Sequence, residues 1–480
     1  MYLGGYCPRH TSLGQPRPAS GEEPGRSTRG YRADRLRMCG GRPRRGFPRP
    51  HAMHTLAEGD VGRVKQLLAQ RNYHLQCQRL REARSVGRVV ADRRTLVPMT
   101  TRGLVKPELL TWALARAGVD AGDLAGRFPK LDRWLAGEAQ PTLKQLEGFA
   151  KATHAPLGYL FLSTPPREQL PLPDFRTMDR GQARAPSPDL LDTVYAMQRR
   201  QAWLRDTLVE AGAEPLAFVD SARPSDDPDA SGAEMRRLLG LEDGWAHAVT
   251  TWQQAVTELR RRIEQLGIMA VINGVVGNDT HRALEVAEFR GFAIIDPYAP
   301  LIFVNGADAK SAQMFTLAHE LAHVWLGAGG VSGFDGLFPR GTDIERWCDK
   351  AAAEMLVPAT KLKARWPDVR REPERFAKLA RAFKVSPIVA ARRALDLRLV
   401  GHDEFTAFYE DYTSHEHHAR QPSTGGDFYN NQNTRVGELF ARHVIRAALE
   451  GRLGFQRAYE LTGLRGDAFQ QYASRLGVAL

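Results

Sequence analysis

The chain has 480 residues, of which 42% are hydrophobic and 25% charged, enough apolar material for a large core and for more than one domain. This composition excludes a wholly disordered protein, and the sequence contains no apolar run long enough to predict a membrane span. Its four cysteines include no CxxC pair, which excludes a disulfide framework and a thiolate zinc cage. We therefore expect a soluble, cytoplasmic protein without a membrane partner.

The formal net charge of +12 is concentrated in residues 1–98, which carry 20 Lys and Arg against 7 Asp and Glu. The remaining residues carry 47 against 48, so the rest of the chain is electrically balanced. Residues 1–98 are rich in Arg, Gly and Pro and show little hydrophobic periodicity, which predicts a disordered basic tail. Two interpretations stay open. Either the tail binds nucleic acid, or translation begins at Met99 and the upstream residues are absent from the native protein.

Helical periodicity begins at about Lys106, and short helices are predicted to follow one another as a module over residues 99–165. Residues 166–186 contain too many prolines for a helix or a central strand and are predicted to be an extended linker. The region from 187 to 267 is predicted to be mainly helical. The sequence therefore predicts two helical regions joined by a proline-rich connection.

The hydrophobic period changes after residue 267, where three short apolar runs bounded by Gly, Pro, Asn and Asp predict strands of one small sheet. These runs are IMAVIN, FRGFAII and LIFVN. We assign residues 268–360 to the core that contains this sheet, residues 361–400 to a helical lid and residues 401–480 to a C-terminal helical region. The predicted fold class is α+β, mainly helical, with a small sheet and helical modules on either side.

The chemical signal is the run FTLAHELAH, shortly after the last predicted strand. We expect Asp308 to cap a helix here and Gly327 to end it. Within that helix His319 and His323 are four residues apart, so both imidazoles point the same way and can bind one zinc ion. Glu320 lies beside the pair, where it can take a proton from a water molecule. The strand, turn and helix context disfavours a chance match on an ordinary core helix.

A catalytic zinc site needs a third protein ligand and an open fourth position. The next predicted helix offers Glu345 nearest its apolar face and Asp349 one turn further on. We expect Glu345 to be the ligand and Asp349 to accept a hydrogen bond from a ligating histidine. A competing interpretation is that Thr342 and Glu345 form a capping box. Glu354 is the weaker ligand candidate, and Cys348 is expected to be a small core residue.

The pairing of FTLAHELAH with ERWCDKAAAEMLVP resembles the ImmA/IrrE-type zinc metallopeptidases, which have a gluzincin-like core. The resemblance implies a zincin-like fold over residues 268–360 and Zn²⁺ as the cofactor. It aligns His319, His323 and Glu345 with the metal ligands. It also aligns Glu320 with the general base. Cys348 replaces the alanine that usually precedes the aspartate, which is a conservative difference.

The same resemblance implies that a strand beside the active-site helix presents a free edge to which a substrate adds as a further strand. LIFVN (residues 301–305) is the expected strand. The reaction also requires a cation or a phenol that stabilises the oxyanion. Tyr298 and His402 are candidates, although the spacing singles out neither of them.

The segment WLAGEAQPTLKQLEGFAKATHAPLGYLFL, followed by PLPDFRT, resembles a helix-turn-helix module of the xenobiotic-response-element type found in longer members of that family. The spacing before Gly137 is about four residues short, which predicts either a short recognition helix or an altered turn. Residues 104–163 carry seven Lys and Arg against six Asp and Glu, a weak anchor for phosphates. Two interpretations stay open for this module, DNA binding through Lys130 and Arg133, and docking of a protein partner.

The resemblance implies a zinc-dependent endopeptidase that cleaves a repressor- or antitoxin-like regulatory protein with metal-activated water. The alternative is a DNA-binding transcriptional regulator or antitoxin that uses the zinc fold as a structural or sensory module. A hydrolase of small amides is a third and weaker hypothesis, because no closed small-molecule pocket is predicted. The His-Glu-His-His cluster at residues 415–418 is predicted to be a solvated loop and not a second metal site.

Overall fold

The computed structural model describes residues 105–173, 186–241, 244–332, 342–416 and 428–478. The predicted basic tail and the Met99 start lie outside these ranges, as do residues 174–185 of the predicted linker and the last two histidines of the 415–418 cluster. The described part is mainly helical and contains a small mixed sheet, which confirms the α+β fold class. None of its helices is both long enough and apolar enough to cross a membrane.

Short helices form an N-terminal module: α1 (Pro107–Ala117), α2 (Ala121–Ala125), α3 (Leu131–Leu135), α4 (Leu143–Ala152) and a 3₁₀ helix (Leu157–Phe161). Buried side chains such as Leu110, Trp134 and Phe149 give this module a core of its own. Gly118 ends α1 with a φ of 64°, a conformation that glycine adopts without strain. Helix α3, which precedes Gly137, has only five residues.

Residues 165–173 follow without a helix or strand. Four helices then lead to the sheet: α5 (Pro188–Glu210), α6 (Pro228–Leu238), α7 (Trp245–Ala248) and α8 (Trp252–Gln265). The start of α5 is capped by Ser187, whose hydroxyl accepts a hydrogen bond from the N–H of Leu190 at 3.1 Å. Thr251 caps α8 in the same way, accepting from the N–H of Gln254 at 3.2 Å. Both caps satisfy amide groups that the helix itself leaves unpaired.

Six strands follow: β1 (Met269–Asn273), β2 (Val275–Val276), β3 (Asp279–Ala283), β4 (Gly291–Ile294), β5 (Leu301–Asn305) and, after the next helix, β6 (Gly330–Ser332). Strands β2 and β3 form a separate hairpin, and the other four form a mixed sheet in the order β1-β5-β4-β6. Strand β5 is parallel to β1 and antiparallel to β4, so that Phe303 lies opposite Val271 on one side and opposite Phe292 on the other.

The expectation that LIFVN presents a free edge is wrong. These residues form β5, which is bonded to a neighbouring strand on each side and is buried along its whole length. A continuous apolar run is typical of a central strand that is covered on both faces, which is the physical reason for the difference. One outer edge of the sheet belongs to β6 instead. There the N–H of Val331 donates to the carbonyl oxygen of Pro173 at 2.9 Å.

Helix α9 (Lys310–Leu326) connects β5 to β6, and α10 (Asp343–Leu356) follows. The N-cap of α9 is Ala309 and not Asp308, because the Asp308 carboxylate accepts the N–H of Ala309 itself, at 2.8 Å. Gly327 ends α9 with a φ of 64°. The remaining described helices are α11 (Ala359–Val369), α12 (Arg375–Phe383), α13 (Pro387–Asp396), α14 (His402–Glu416), α15 (Phe428–Val436), α16 (Glu438–Leu449), α17 (Phe455–Thr462) and α18 (Gly466–Arg475).

The sheet separates two apolar cores. On one face Ala270 and Ile302 pack with side chains of α9 and α10, and the helices α12 and α13 of the predicted lid contribute Leu379 and Ala390 to the same core. On the other face Phe292 and its neighbours pack with α5, α16, α17 and α18. Burying both faces fixes the position of the sheet relative to α9, the helix that carries the two motif histidines.

Candidate metal centre

Helix α9 places the two motif histidines in the interior. All its residues from Gln313 to Leu326 are buried, and the side chains of His319 and His323 lie one turn apart on the same face. Their Nε2 atoms are 3.1 Å from each other. The sequence spacing and the apolar surroundings of α9 therefore produce two imidazole nitrogens that face one point.

Helix α10 brings a carboxylate to the same point. One oxygen of Glu345 lies 3.1 Å from Nε2 of His319, and the other lies 3.3 Å from Nε2 of His323. Thr342 does cap the helix, since its hydroxyl accepts from the N–H of Glu345 at 3.3 Å. Only half of the capping box is formed, however, because the Glu345 side chain turns to the histidines. The geometry thus favours the ligand interpretation over the capping one.

Each histidine is held in its orientation through its other nitrogen. Nδ1 of His319 donates to the Asp349 carboxylate at 2.9 Å, and Nδ1 of His323 donates to the carbonyl oxygen of Ala328 at 2.8 Å. Both acceptors require a proton on Nδ1, so in the neutral form of each ring the lone pair is on Nε2, the nitrogen that faces Glu345. These partners therefore select the tautomer that a metal ligand needs.

The donor set fits a divalent cation. Two Nε2 lone pairs and a carboxylate face each other at 3.1 to 3.3 Å, an arrangement of acceptors that needs a positive charge between them. Ligands of a tetrahedral Zn²⁺, each about 2.0–2.1 Å from the ion, lie roughly 3.3 Å apart. Among the described residues, His319, His323 and Glu345 form the one group of ligand atoms with metal-binding spacing.

The electrostatics of the cluster point in the same direction. Burial alone lowers the pKa of His319, but the carboxylates of Glu345 and Asp349 outweigh it and raise that pKa well above its usual value. For Glu345, burial raises the pKa, yet the attraction of His319 and His323 outweighs it and holds the pKa well below its ordinary range. The cluster therefore stabilises a positive charge at its centre.

Glu320 lies beside this cluster and is fully buried. Neither of its carboxylate oxygens has a hydrogen-bond partner among the described residues. Burial raises the pKa of Glu320 to about 7, although the attraction of His323 and His319 opposes this effect. A buried carboxylate without a protein partner is available to a water molecule or a substrate.

Residues that the sequence did not single out complete the site. A side chain at Gly291 would come within 2.7 Å of a Glu320 oxygen and 2.8 Å of the Thr316 side chain, so glycine keeps the space beside the carboxylate open. Ser332 of β6 lies opposite Gly291 in the sheet, and its nearby hydroxyl opposes the effect of burial on the pKa of Glu320. The sequence contains one signal for the carbonyl of Ala328. This signal is Gly327, the glycine that ends α9 and turns the chain back toward His323.

The other candidates of α10 lie elsewhere. Cys348 is buried among the apolar side chains of the core, where burial raises the pKa of its thiol well above its usual value. Glu354 forms an ion pair with Arg393 and accepts the N–H of Ala359 at 3.0 Å. Neither belongs to the set of converging ligand atoms.

The two oxyanion candidates are not part of the converging set either. His402 is exposed at the start of α14, where it contacts Thr406 at 3.3 Å. Tyr298 lies in the turn between β4 and β5, and its N–H donates to the Asp296 carboxylate at 2.9 Å. The structure thus places neither of them with the ligand atoms of α9 and α10.

Lys130 and Arg133 belong to the N-terminal module and not to this centre. Both are exposed, and the guanidinium of Arg133 lies 3.7 Å from the carboxylate of Glu138. The assignment of the module as a helix-turn-helix, with these two residues on DNA, stays a prediction.

Comparison with known proteins bears on the region around the centre. A model of the peptidase family M78, described as the IrrE N-terminal-like domain, matches residues 263–395. A model of a domain of unknown function matches residues 436–475. No curated protein gives a significant match to the chain. The first match covers the sheet, α9 and α10, supports the ImmA/IrrE resemblance there and indicates a metallopeptidase-type function.

Proposed function

We propose that this chain is a zinc-dependent endopeptidase that cleaves a regulatory protein of the repressor or antitoxin type. The observation that carries the proposal is the convergence of two histidines and Glu345 beside the buried, unpartnered carboxylate of Glu320. The peptidase family match over residues 263–395 supports the class of reaction. The choice of a regulatory protein as substrate rests on the motif resemblance.

His319, His323 and Glu345 would hold the metal, and three protein ligands leave a position for water or substrate. Asp349 and the carbonyl of Ala328 keep both imidazoles turned toward it. When bound, Zn²⁺ supplies a Lewis acid that polarises a carbonyl group and makes water acidic enough to act as a nucleophile near neutral pH.

Glu320 acts as the general base and then as the general acid. Its carboxylate takes a proton from the water molecule whose oxygen attacks the carbon of the scissile peptide bond, and it later delivers this proton to the departing amine. Burial favours the protonated form of this carboxyl group, which suits a group that takes up a proton in one step and releases it in the next. Gly291 leaves room for the water beside the carboxylate.

The test uses the purified chain loaded with zinc and the candidate repressor that is encoded beside its gene. We expect the wild type to cleave this protein at one or a few bonds. Glu320→Gln should lower the rate by at least about 100-fold while the zinc content stays unchanged, because only the proton transfer is lost. Glu147→Gln, an exposed change on α4, is the matched control and should cleave at the wild-type rate. Cleavage that survives Glu320→Gln would contradict the mechanism.

A further inference from the structure

Residues 166–173, here termed the strap, lie along the surface without a helix or an assigned strand, and the chain bends at Pro171 and Leu172 before it reaches Pro173. Their exposure alternates: Pro166, Glu168, Leu170 and Leu172 are half-buried, and the residues between them are exposed. A period of two is that of an extended strand with one face on the protein. The two leucines of the buried face pack on the core that also contains Val331.

The strap occupies the outer edge of the sheet. Strand β4 covers one side of β6, and the N–H of Val331 on β6 donates to the carbonyl oxygen of Pro173 at 2.9 Å. Pro171 and Pro173 have no N–H of their own, so the strap accepts from the edge without offering a regular ladder of donors to a further strand. An edge that would otherwise pair with an extended peptide is thereby covered.

This edge is next to the candidate metal centre. Ser332 follows Val331 directly and lies opposite Gly291 of β4, where a Cβ would come within 2.7 Å of a Glu320 oxygen. Successive residues of a strand are only about 3.3 Å apart, so a chain paired with Val331 runs past the group that we propose as the general base. A substrate that joins the sheet at β6 would need the place that the strap now fills.

The strap is also tied to the N-terminal module. Glu168 forms an ion pair with Arg116 of α1, and these side chains are only 12% and 5% exposed. Arg116 also donates to the carbonyl oxygen of His154 at 2.8 Å, still within the module. Just before the strap, the ammonium group of Lys106 donates to the carbonyl oxygen of Ser163 at 2.6 Å. The module therefore holds one end of the segment whose other end lies on β6.

We propose that the strap is a built-in substrate mimic, which blocks the strand-addition edge at β6 until the N-terminal module releases it. The inference rests on the proposed peptidase function, and it adds the kind of peptide that is recognised. The strap itself shows the pattern expected of such a peptide. Apolar side chains occupy alternate positions, as Leu170 and Leu172 do. A protein that engages the module would then activate the enzyme.

The test measures binding and does not depend on cleavage. The probe is a fluorescein-labelled peptide with the sequence PREQLPLP, titrated into the full chain carrying Glu320→Gln to prevent turnover. Leu170→Asp should free the edge and bind the probe about tenfold more tightly than the parent protein, since the internal competitor is lost. Gln169→Asp, which adds the same charge on the exposed side of the strap, is the matched control and should match the parent.

Hydrogen exchange at the amide of Val331 gives a second measurement. It should be about tenfold faster in Leu170→Asp, and an excess of the peptide should slow it again. Equal probe affinity and equal Val331 exchange in Leu170→Asp and Gln169→Asp would overturn the proposal. Should Leu170→Asp fail to fold, as judged by its zinc content, Glu168→Gln replaces it, because it removes the charge that Arg116 holds. Absence of cleavage by the wild-type chain would contradict the proposed function alone, because neither the probe affinity nor the exchange at Val331 depends on turnover.

Discussion

The helix α9 and the N-terminal module differ in how far their polar side chains are exposed to solvent. In α9, His319 is 5% exposed, and Glu320 and His323 are 0% exposed. In the module, by contrast, Arg133 and Glu138 lie 3.7 Å apart with side chains that are 60% and 63% exposed. Buried polar groups cost several kcal/mol unless partners compensate, whereas exposed pairs contribute about 1 kcal/mol or less.

This difference shows where function can be inferred from structure. Around α9 both ring nitrogens of each motif histidine have partners, yet neither oxygen of the buried Glu320 carboxylate has a hydrogen-bond partner among the described residues. Such a cost is retained only where a ligand or a reaction offsets it. In the module the exposed charges nearly cancel and the buried Arg116 is paired with Glu168, so the same reasoning gives no comparable signal for DNA.

The largest effect is expected from removing a ligand. His323→Ala should weaken zinc affinity on the order of a thousandfold, because one of three protein ligands is lost and Glu345 loses half of its contacts. Metal analysis after dialysis against a weak chelator measures the loss. His281→Ala, an exposed histidine on β3, should keep the wild-type zinc content. Full retention of zinc by His323→Ala would show that this buried histidine is not a metal ligand. The contrast between α9 and the N-terminal module would then lose its main support.

The next largest effect is expected on stability, at the close approach between the backbones of α6 and α10. Helix α6 packs so closely on α10 that a side chain at Gly232 would overlap the carbonyl oxygen of Ala351 and lie 2.9 Å from Cβ of Glu354. Gly232→Ala should therefore lower the free energy of unfolding by about 2–4 kcal/mol. Gly122→Ala on α2 of the module meets nothing within 4 Å and should raise it by about 0.4–1 kcal/mol.

Urea denaturation followed by circular dichroism measures both glycine variants. The comparison between the regions predicts changes of opposite sign for the same substitution. If both variants were destabilised equally, the tight packing of α6 on α10 would not distinguish the core from the module.

Much of this site could be predicted because it depends on side chains at helical spacing. The positions of His319 and His323 follow from a period of 3.6 residues, and the nearness of Glu345 follows from the apolar face of the next helix. The orientation of His323 could not be predicted, since its partner is the backbone carbonyl of Ala328. Gly327 marks a turn at this point, but every residue has such a carbonyl, so the sequence does not specify which carbonyl meets His323.

The fold shows the same limit. Helices, short strands and the α+β class follow from local periodicity, whereas the order of strands depends on contacts between distant backbone groups. The prediction of a free edge at LIFVN was wrong. Its continuous apolar run indicates a central strand that is covered on both faces. The bond between Val331 and Pro173 joins backbone groups far apart in the sequence and leaves no pattern in either segment.

A moderate effect is expected from the partner of His319. Asp349→Ala should weaken zinc affinity by about 10- to 100-fold, because the imidazole loses the acceptor that fixes its tautomer while all three ligands stay. Competition with a fluorescent zinc chelator measures the affinity. Asp343→Ala on the same helix removes a carboxylate that is 84% exposed and should leave the affinity unchanged. Equal affinities for the two variants would show that Asp349 does not position the ring.

The smallest effect is expected from Lys130 and Arg133. Arg133 already pairs with Glu138, and the module is nearly neutral, so Lys130→Ala combined with Arg133→Ala should change the affinity for a random DNA duplex by less than about threefold. Fluorescence anisotropy of a labelled duplex at several salt concentrations measures this affinity. Lys144→Ala with Lys151→Ala on α4 removes the same charge and should behave alike. A salt slope lowered by about two in the first pair only would instead place both side chains on phosphates and make the module a DNA-binding surface.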